Sequence, residues 1–457
     1  MAQTSAVVVQ KFGGSSVADA LKMRACAARV RAERQAGRGV VVVVSAMGDT
    51  TDDLLELADT VSAEPEGGPG GGPDGGHRPP PDRRELDQLL ATGEQVSVAM
   101  MALVLKGEGI DAISLTGAQA GVRTDAAYGR AAILDVSCQR LQAEIAAGRV
   151  PVVAGFQGTC ESGDTTTLGR GGSDTSAVAI AAALRSAGME ASCDIYKDVD
   201  GVFTADPRVE PQARQRPVVT YDEMLETAAL GSQVIHPRGV ELAKKFGVPL
   251  RVLHSHQPGT GTLVLPEDPT MESRVVSSVV LKKNVARVSI RGLRNAAGIQ
   301  AAVFGPIAAA GISVDDIIQE DDGPGTINLT ITFDRKDVAE LTPIVHRVAG
   351  ELNATGSAGG GGVGAVRFDS GLATVSVVGA GMRTSPGVAS VLFRAFADAA
   401  IKVENITTSE IRISCVVAET DAQRAVRAAH AAFGLHSEDA EQAKAAVLGL
   451  TRAAARG

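Results

Sequence analysis

The segment Thr165-Thr-Thr-Leu-Gly-Arg-Gly-Gly-Ser-Asp174 sets an arginine between glycines, just ahead of a carboxylate. The apolar run that follows, Thr175 to Leu184, is patterned as a helix. An arginine in a glycine turn can present its planar fork bidentately to a carboxylate, and the backbone N–H groups of a helix start favour anions. The combination predicts a site for an acidic substrate. A second element, Lys11-Phe-Gly-Gly-Ser-Ser16, follows the β-like run Val7-Val-Val-Gln10 and precedes a helix-patterned stretch to Arg34. Its lysine and glycines predict a phosphate site, although a Gly-Gly-Ser after a strand is by itself more often an ordinary strand-to-helix turn. Neither element has the G-x-x-x-x-G-K-[ST] spacing of a P-loop. Together they point to phosphoryl transfer from a nucleotide to a small acid, in which positioning and charge neutralisation supply most of the catalysis.

The elements that must hold these residues are short β-branched runs alternating with longer Ala/Leu-rich stretches up to about residue 265, among them Val40–Val44, Val150–Ala154, Cys193–Tyr196 and Pro249–Leu253. That alternation predicts an α/β layered domain. Ser45 and Asp49 come just after a β run, where a parallel strand delivers ligand-binding residues. Residues 65–82, rich in Gly and Pro, cannot bury a core and are expected to form a solvated, disordered insertion.

Beyond residue 265 the chain repeats itself. Ala286-Arg-Val-Ser-Ile-Arg-Gly292 matches Ala373-Thr-Val-Ser-Val-Val-Gly379, and Gly311-Ile-Ser-Val-Asp-Asp-Ile317 matches Ala400-Ile-Lys-Val-Glu-Asn-Ile406. Two copies of a βαβ-containing unit are too few for a solenoid and predict a pair of small regulatory or interaction domains. The Gly-rich stretch Gly356 to Gly364 between them reads as a flexible connection. Val375-Ser-Val-Val-Gly379-Ala-Gly381 imitates a dinucleotide fingerprint, but Thr384 stands where the third glycine belongs, and the repeat explains the segment better.

At 457 residues and 44% apolar content the chain has ample material for a large core and for about three domains. Its five cysteines are scattered without a C-x-x-C pair and read as buried thiols of a reducing compartment. No basic flank with an apolar core opens the sequence and no apolar stretch approaches the roughly 20 residues of a bilayer span, so a cytoplasmic location without membrane partners is expected. A net charge of −9 and 3% aromatics argue against nucleic acid as a partner. An acidic protein that binds an acidic substrate must concentrate cations locally, and Lys11, Arg170 and Arg208 are the candidates. His236 and His254 have no partners at ligand spacing and read as ordinary surface or core imidazoles, so no protein-bound metal is expected.

Several motifs together resemble the monofunctional aspartate kinases of the amino-acid kinase superfamily over nearly the whole chain. They are Lys11-Phe-Gly-Gly-Ser-Ser16, Ser45-Ala-Met-Gly-Asp-Thr-Thr-Asp52, Ala91-Thr-Gly-Glu94, Gly155-Phe-Gln157, Thr166 to Asp174, Asp198-Val-Asp-Gly-Val-Phe-Thr-Ala-Asp-Pro-Arg208 and Thr408-Ser-Glu-Ile-Arg-Ile-Ser414. The resemblance implies a three-layer α/β kinase domain with a mostly parallel central sheet over 1–265 and a linker and strand over 266–284. It further implies two α+β, ferredoxin-like ACT domains over 285–355 and 369–450, joined by 356–368. The implied reaction is MgATP-dependent phosphorylation of the L-aspartate β-carboxylate, the entry to lysine, threonine and methionine synthesis, with magnesium carried by ATP.

By the same resemblance, Lys11 and Asp174 are the catalytic pair, and Thr51, Glu94, Arg170, Gly171, Gly172 and Ser173 form the aspartate pocket. The nucleotide falls to Lys11, Phe12, Gly13, Gly14, Ser15, Ser45, Lys197, Asp198, Phe203, Thr204, Ala205, Asp206, Pro207, Arg208 and Gln233. Asp174 is expected to cap its helix as well. Amino-acid effectors, threonine, lysine or both, are implied at Asn295, Ser313, Val314, Asp315 and Gln319 and at Val403, Glu404, Asn405, Ser409 and Glu410. A homodimer or higher oligomer through the ACT domains is implied, and Met271 stands where some relatives start a separately translated regulatory subunit. Two departures matter. Gln233 replaces a lysine of many relatives, and Asn295-Ala-Ala-Gly298 replaces a D-x-P-G loop, which predicts retuned or weaker feedback. A feedback-insensitive kinase of a specialised pathway and a catalytically weak amino-acid sensor are the alternatives.

Overall fold

The computed structural model describes residues 6–62, 81–232, 234–266, 275–354, 365–383 and 385–437. Gln233, Met271, Thr384 and the Gly356–Gly364 connection lie outside these residues, as does the expected insertion up to residue 80. Asp82, assigned to that insertion, instead caps a helix, its carboxylate accepting from the amides of Arg84 and Glu85.

The chain forms two compact units. In the first, strands β1 (Val7–Phe12), β2 (Gly39–Val44), β3 (Ala112–Leu115), β4 (Val122–Thr124), β5 (Ile133–Val136), β6 (Val150–Ala154), β7 (Gln157–Thr159), β8 (Thr165–Thr167), β9 (Ala191–Lys197), β10 (Val218–Thr220), β11 (Leu250–His254) and β12 (Thr262–Leu265) alternate with helices. The helices are α1 (Ala20–Gln35), α2 (Thr50–Val61), α3 (Arg83–Gly107), α4 (Gln139–Ala146), α5 (Gly172–Ser186), α6 (Tyr221–Ala229) and α7 (Pro237–Phe246). The main sheet runs β10-β12-β11-β9-β1-β2-β6-β3 and is parallel except where β11 meets β12. Its central strands β1 and β2 are valine runs buried along their whole length, as a strand covered on both faces must be. Alternation sorts them between two cores. Val7, Val9, Val41 and Val43 pack with α5 and its neighbours, whereas Val8, Val40, Val42 and Val44 pack under α1 and α3. This is the expected three-layer α/β architecture.

One expectation needs correction. Helix α3, 25 residues long, is long and apolar enough to cross a bilayer by length and composition. In the fold it is a packing element: Leu90, Val98, Met101 and Leu105 are buried, and it carries the carboxylates of Asp87 and Glu94 inward with them.

In the second unit β13 (Ser278–Arg294), α8 (Ile299–Ala309), β14 (Val314–Asp321), β15 (Thr326–Asp334), α9 (Val338–Ala354), β16 (Val366–Val378), α10 (Val388–Asp398), β17 (Val403–Ser409), β18 (Arg412–Ala418) and α11 (Ala422–Ala432) repeat one βαββα order twice. The two repeats are interlocked. All six strands form one antiparallel sheet, β14-β15-β13-β16-β18-β17. The start of β13, Ser278–Lys282, pairs with the end of β16 and completes the second repeat, while the start of β16 pairs with Arg287–Ile290 and completes the first. Ser278–Lys282, expected as a joining strand, is therefore part of the second repeat's sheet. Phe203–Arg214 also belongs to this unit: Ala205 and Val209 enter its core, and Thr204 places its hydroxyl against His430 Nε2 at 3.0 Å.

Candidate active site

Strand β1 ends in Lys11 and Phe12, and the chain then turns through Gly13 into a short 3-10 turn at Gly14–Ser16. A side chain on Gly14 would lie 2.7 Å from the Ala46 carbonyl, so the turn can approach the end of β2 only with glycine there. Phe12 carries none of the ligand chemistry in its ring, which is buried and stacked on Tyr196 at 4.7 Å. Ser16 is tied down by a hydroxyl relay: Ser255 Oγ donates to the Lys197 carbonyl at 2.8 Å and lies 2.5 Å from Ser16 Oγ. Ser255 thus joins the glycine turn to the end of β9. Removing its hydroxyl leaves the buried Ser16 hydroxyl without this partner, while the Lys197 carbonyl keeps the Ser255 amide, so Ser255→Ala should lower unfolding free energy by about 1–3 kcal/mol. Urea denaturation checks this.

The centre of the site is Asp174. Its carboxylate lies 2.6 Å from Lys11 Nζ and 3.3 Å from Lys197 Nζ, and it accepts the His236 amide at 3.3 Å. Burial opposes its ionisation, but the two ammonium groups outweigh burial and hold the carboxyl well below its ordinary range. Burial lowers the Lys11 pKa from its usual value, with Asp174 opposing. Asp174 does not cap α5. The cap position is Gly171, at φ +74°, and the Asp174 side chain is turned to the lysines. The Ser173 and Asp174 amides, in the first turn, have no acceptor among the described residues. Ser173 is buried against Gly155, where a side chain would come within 2.8 Å.

Glu94 enters from α3. Oε1 accepts the Ala46 amide at 3.0 Å, and Oε2 is buried without a partner. Burial pushes its carboxyl up to about 7, with the Ala46 amide opposing. Gly93 lets α3 come this close, since a side chain there would meet Ala46 Cβ at 2.9 Å. Thr51 lies in the first turn of α2, and Ser45 follows β2, its amide bonded to the Phe12 carbonyl. Arg170 is exposed and makes no hydrogen bond or ion pair among the described residues.

Of the remaining nucleotide candidates, Lys197 joins the Asp174 cluster. Arg208 is highly exposed and pairs with Asp206 at 3.0 Å. The Thr204 hydroxyl is occupied by His430 and by the Arg214 amide, and Ala205 is in a core. The two effector sets are not brought together within the chain: apart from Asn295, which follows β13, they lie at or beside β14 and β17, the opposite edges of the six-stranded sheet. Asp315 pairs with Lys282, Gln319 accepts from Gln300, Glu404 pairs with Lys402 and Arg287, and Glu410 pairs with Arg383.

Three residues at the site were assigned no role there from the sequence. Asp87 of α3 accepts the Gly129 and Thr167 amides and the Thr167 hydroxyl, which fixes the strand leading to the glycine turn. Phe156 has φ +66°, a strained conformation beside Gly172. His236, expected to be an ordinary imidazole, caps α7 against Gly171 and Asp174. A positive-φ phenylalanine and a histidine contact across 62 positions leave no local signal.

Lys11, at the C-terminal end of the parallel strand β1, and Arg170, in the glycine turn between β8 and the start of α5, define a kinase that acts on a small acid. Residues 6–254 match the Amino acid kinase family, and residues 286–350 and 375–433 each match the ACT domain. An aspartate kinase of Stutzerimonas stutzeri is 43% identical over 431 residues, covering 94% of this chain and 98% of that one. The aspartokinase of Mycolicibacterium smegmatis is 43% identical over 443 residues, covering 95% and 97%. The crystal structure of E. coli aspartokinase III in complex with aspartate and ADP superposes with a TM-score of 0.73 at 26% identity, covering 93% of this chain and 99% of that one. The chain belongs to the aspartokinase family and is an aspartate kinase.

Proposed function

We propose that the chain transfers the γ-phosphoryl group of MgATP to the β-carboxylate of L-aspartate, giving 4-phospho-L-aspartate and ADP. A β-carboxylate oxygen attacks the γ-phosphorus as the bond to the bridging β–γ oxygen breaks. The acceptor is already ionised at neutral pH, so the chain needs no strong base, and its task is to neutralise two approaching anions. The observation that carries this reading is the buried Lys11–Asp174–Lys197 cluster. Asp174 fixes two ammonium groups in place, and at Lys11 it opposes the burial that would favour the neutral form.

In this reading Lys11 and Lys197 face the phosphates, while Gly13, Gly14, Ser15 and Ser45 line their approach. Arg170 takes a substrate carboxylate, Glu94 the ammonium group, and Thr51, Gly171, Gly172 and Ser173 complete the pocket. Lys197 and Asp198 contact the nucleotide. The share of Phe203–Arg208 and of Gln233 follows from the resemblance alone. Magnesium enters with the nucleotide, because Asp174, the buried carboxylate at the centre, is committed to two ammonium groups and an amide.

The product's place is the start of lysine, threonine and methionine synthesis in the cytoplasm, with lysine, threonine or both acting at the ACT repeats of a homodimer or larger assembly. A complex of E. coli aspartokinase III with lysine and aspartate supports that control. Trapping acyl phosphate as hydroxamate tests the reading: turnover with aspartate, and none with glutamate or N-acetylglutamate, is expected, with inhibition by lysine or threonine. Equal turnover of all three acceptors would refute it.

The Glu94 assignment fixes a pH dependence. Below about 7 its carboxyl is protonated and cannot pair with an ammonium group, whereas above that it is a carboxylate. The expected result is an aspartate KM that rises as pH falls below 7, approaching about tenfold per unit at the acid end. Glu94→Gln should raise KM at neutral pH and flatten that limb in steady-state profiles from pH 5.5 to 8.5.

A further inference from the structure

Arg170 stands alone on an exposed turn flanked by glycines, a poor platform for a cation that must meet a carboxylate in one geometry. Left to itself, the turn would let the guanidinium sample many directions, and that freedom would be lost on binding. The first turn of α7 removes it from two sides. Arg238 donates to the Leu168 carbonyl at 2.5 Å and to the Ala131 carbonyl at 3.0 Å, holding the entry to the turn. At the exit, the His236 ring lies against Gly171. A side chain built there would come within 2.1 Å of His236 Cγ and 2.4 Å of Cδ2. The His236 amide meanwhile donates to Asp174, so the same residue touches both the turn and the centre of the site.

We propose that His236 is a positioning residue for substrate recognition, which with Arg238 clamps the Leu168–Gly171 turn and so sets the direction of Arg170. The ring acts by shape. Nδ1 is buried without a partner, and the side chain makes no hydrogen bond among the described residues, so packing alone holds it in place. A phenyl ring should therefore serve as well as the imidazole, and a small side chain should not. The inference rests on the assignment of Arg170 to a substrate carboxylate.

The test measures steady-state kinetics of the full-length enzyme by the hydroxamate assay, varying aspartate and ATP separately. His236→Ala should raise the aspartate KM about tenfold with the ATP KM within about twofold, and His236→Phe should restore the aspartate KM to within about threefold. Arg238→Ala, which removes the hold at the other end, should give the same split and serves if His236→Ala does not fold. An unchanged aspartate KM, a parallel rise in both KM values, or a phenylalanine variant as impaired as the alanine one would overturn the inference. Arg170→Ala separates the two layers. If it raises the aspartate KM while His236→Ala and Arg238→Ala do not, the clamp fails alone. If it leaves that KM unchanged, the Arg170 assignment fails and the clamp with it.

Discussion

Lys11→Met is expected to lower kcat by about 10³-fold, equivalent to about 4 kcal/mol of transition-state stabilisation, with little change in the aspartate KM. The lysine is buried at the end of β1, 2.6 Å from Asp174, in a place where water cannot screen its charge. Charge that develops on the transferring phosphoryl group would meet a cation already fixed in position, and the reaction then needs little reorganisation. Methionine keeps the length and the packing and removes the charge. The substitution also takes one of two ammonium partners from a buried carboxylate, which costs about 3–5 kcal/mol when no partner remains and less here, because Lys197 stays. The double variant Lys11→Met/Asp174→Asn separates the effects. It should recover much of the lost stability in thermal unfolding and remain inactive. A single variant within tenfold of the parent kcat would remove Lys11 from the chemistry.

Gly171→Ala should be the most damaging single methyl addition in the site. Gly171 adopts φ +74°, and its Cβ would fall 2.1 Å from His236 Cγ. Backbone strain alone costs about 1–2 kcal/mol. The collision adds to it, since either the ring or the start of α5 must move, and Arg170, Ser173 and Asp174 move with the helix start. A displacement of about 1 Å at a reacting centre can cost about 10²-fold, so kcat/KM should fall by at least that much. Gly188→Ala is the control. Gly188 follows the same helix at φ +85° with nothing within 4 Å of its Cβ. It should lose the conformational part of the stability, about 1–2 kcal/mol by denaturant titration, and keep its kcat/KM. Equal catalytic losses in both variants would mean that His236 and the glycine turn do not set the site.

The chemistry-bearing residues were legible in the sequence where chemistry demands a local backbone shape. Lys11 before paired glycines and Arg170 between glycines follow from turns that only glycine permits. The valine runs of β1 and β2 announced strands of an α/β layer, and the second repeat announced itself by copying the first. Asp174 was legible as a carboxylate at a helix start, although its capping role went to Gly171. Helix α3 was misjudged because the polar residues within it, Asp87 and Glu94, break the apolar run as written, yet each is satisfied or used once the helix is packed.

What the sequence by itself determined is therefore the set of turns, strands and helices, the repeated tail and the kinds of charge at the glycine-rich starts, since each depends on neighbours a few positions apart. Only the tertiary structure decided which groups meet: Lys197 and Lys11 on Asp174, Ser255 between Ser16 and Lys197, His236 on Gly171, and Thr204 on His430. It also decided that the two tail repeats exchange strands through β13 and β16. The physical reason is the same throughout. A parallel sheet places the ends of distant strands side by side, so side-chain partners are chosen by strand order and packing, which the order of residues along the chain does not spell out locally.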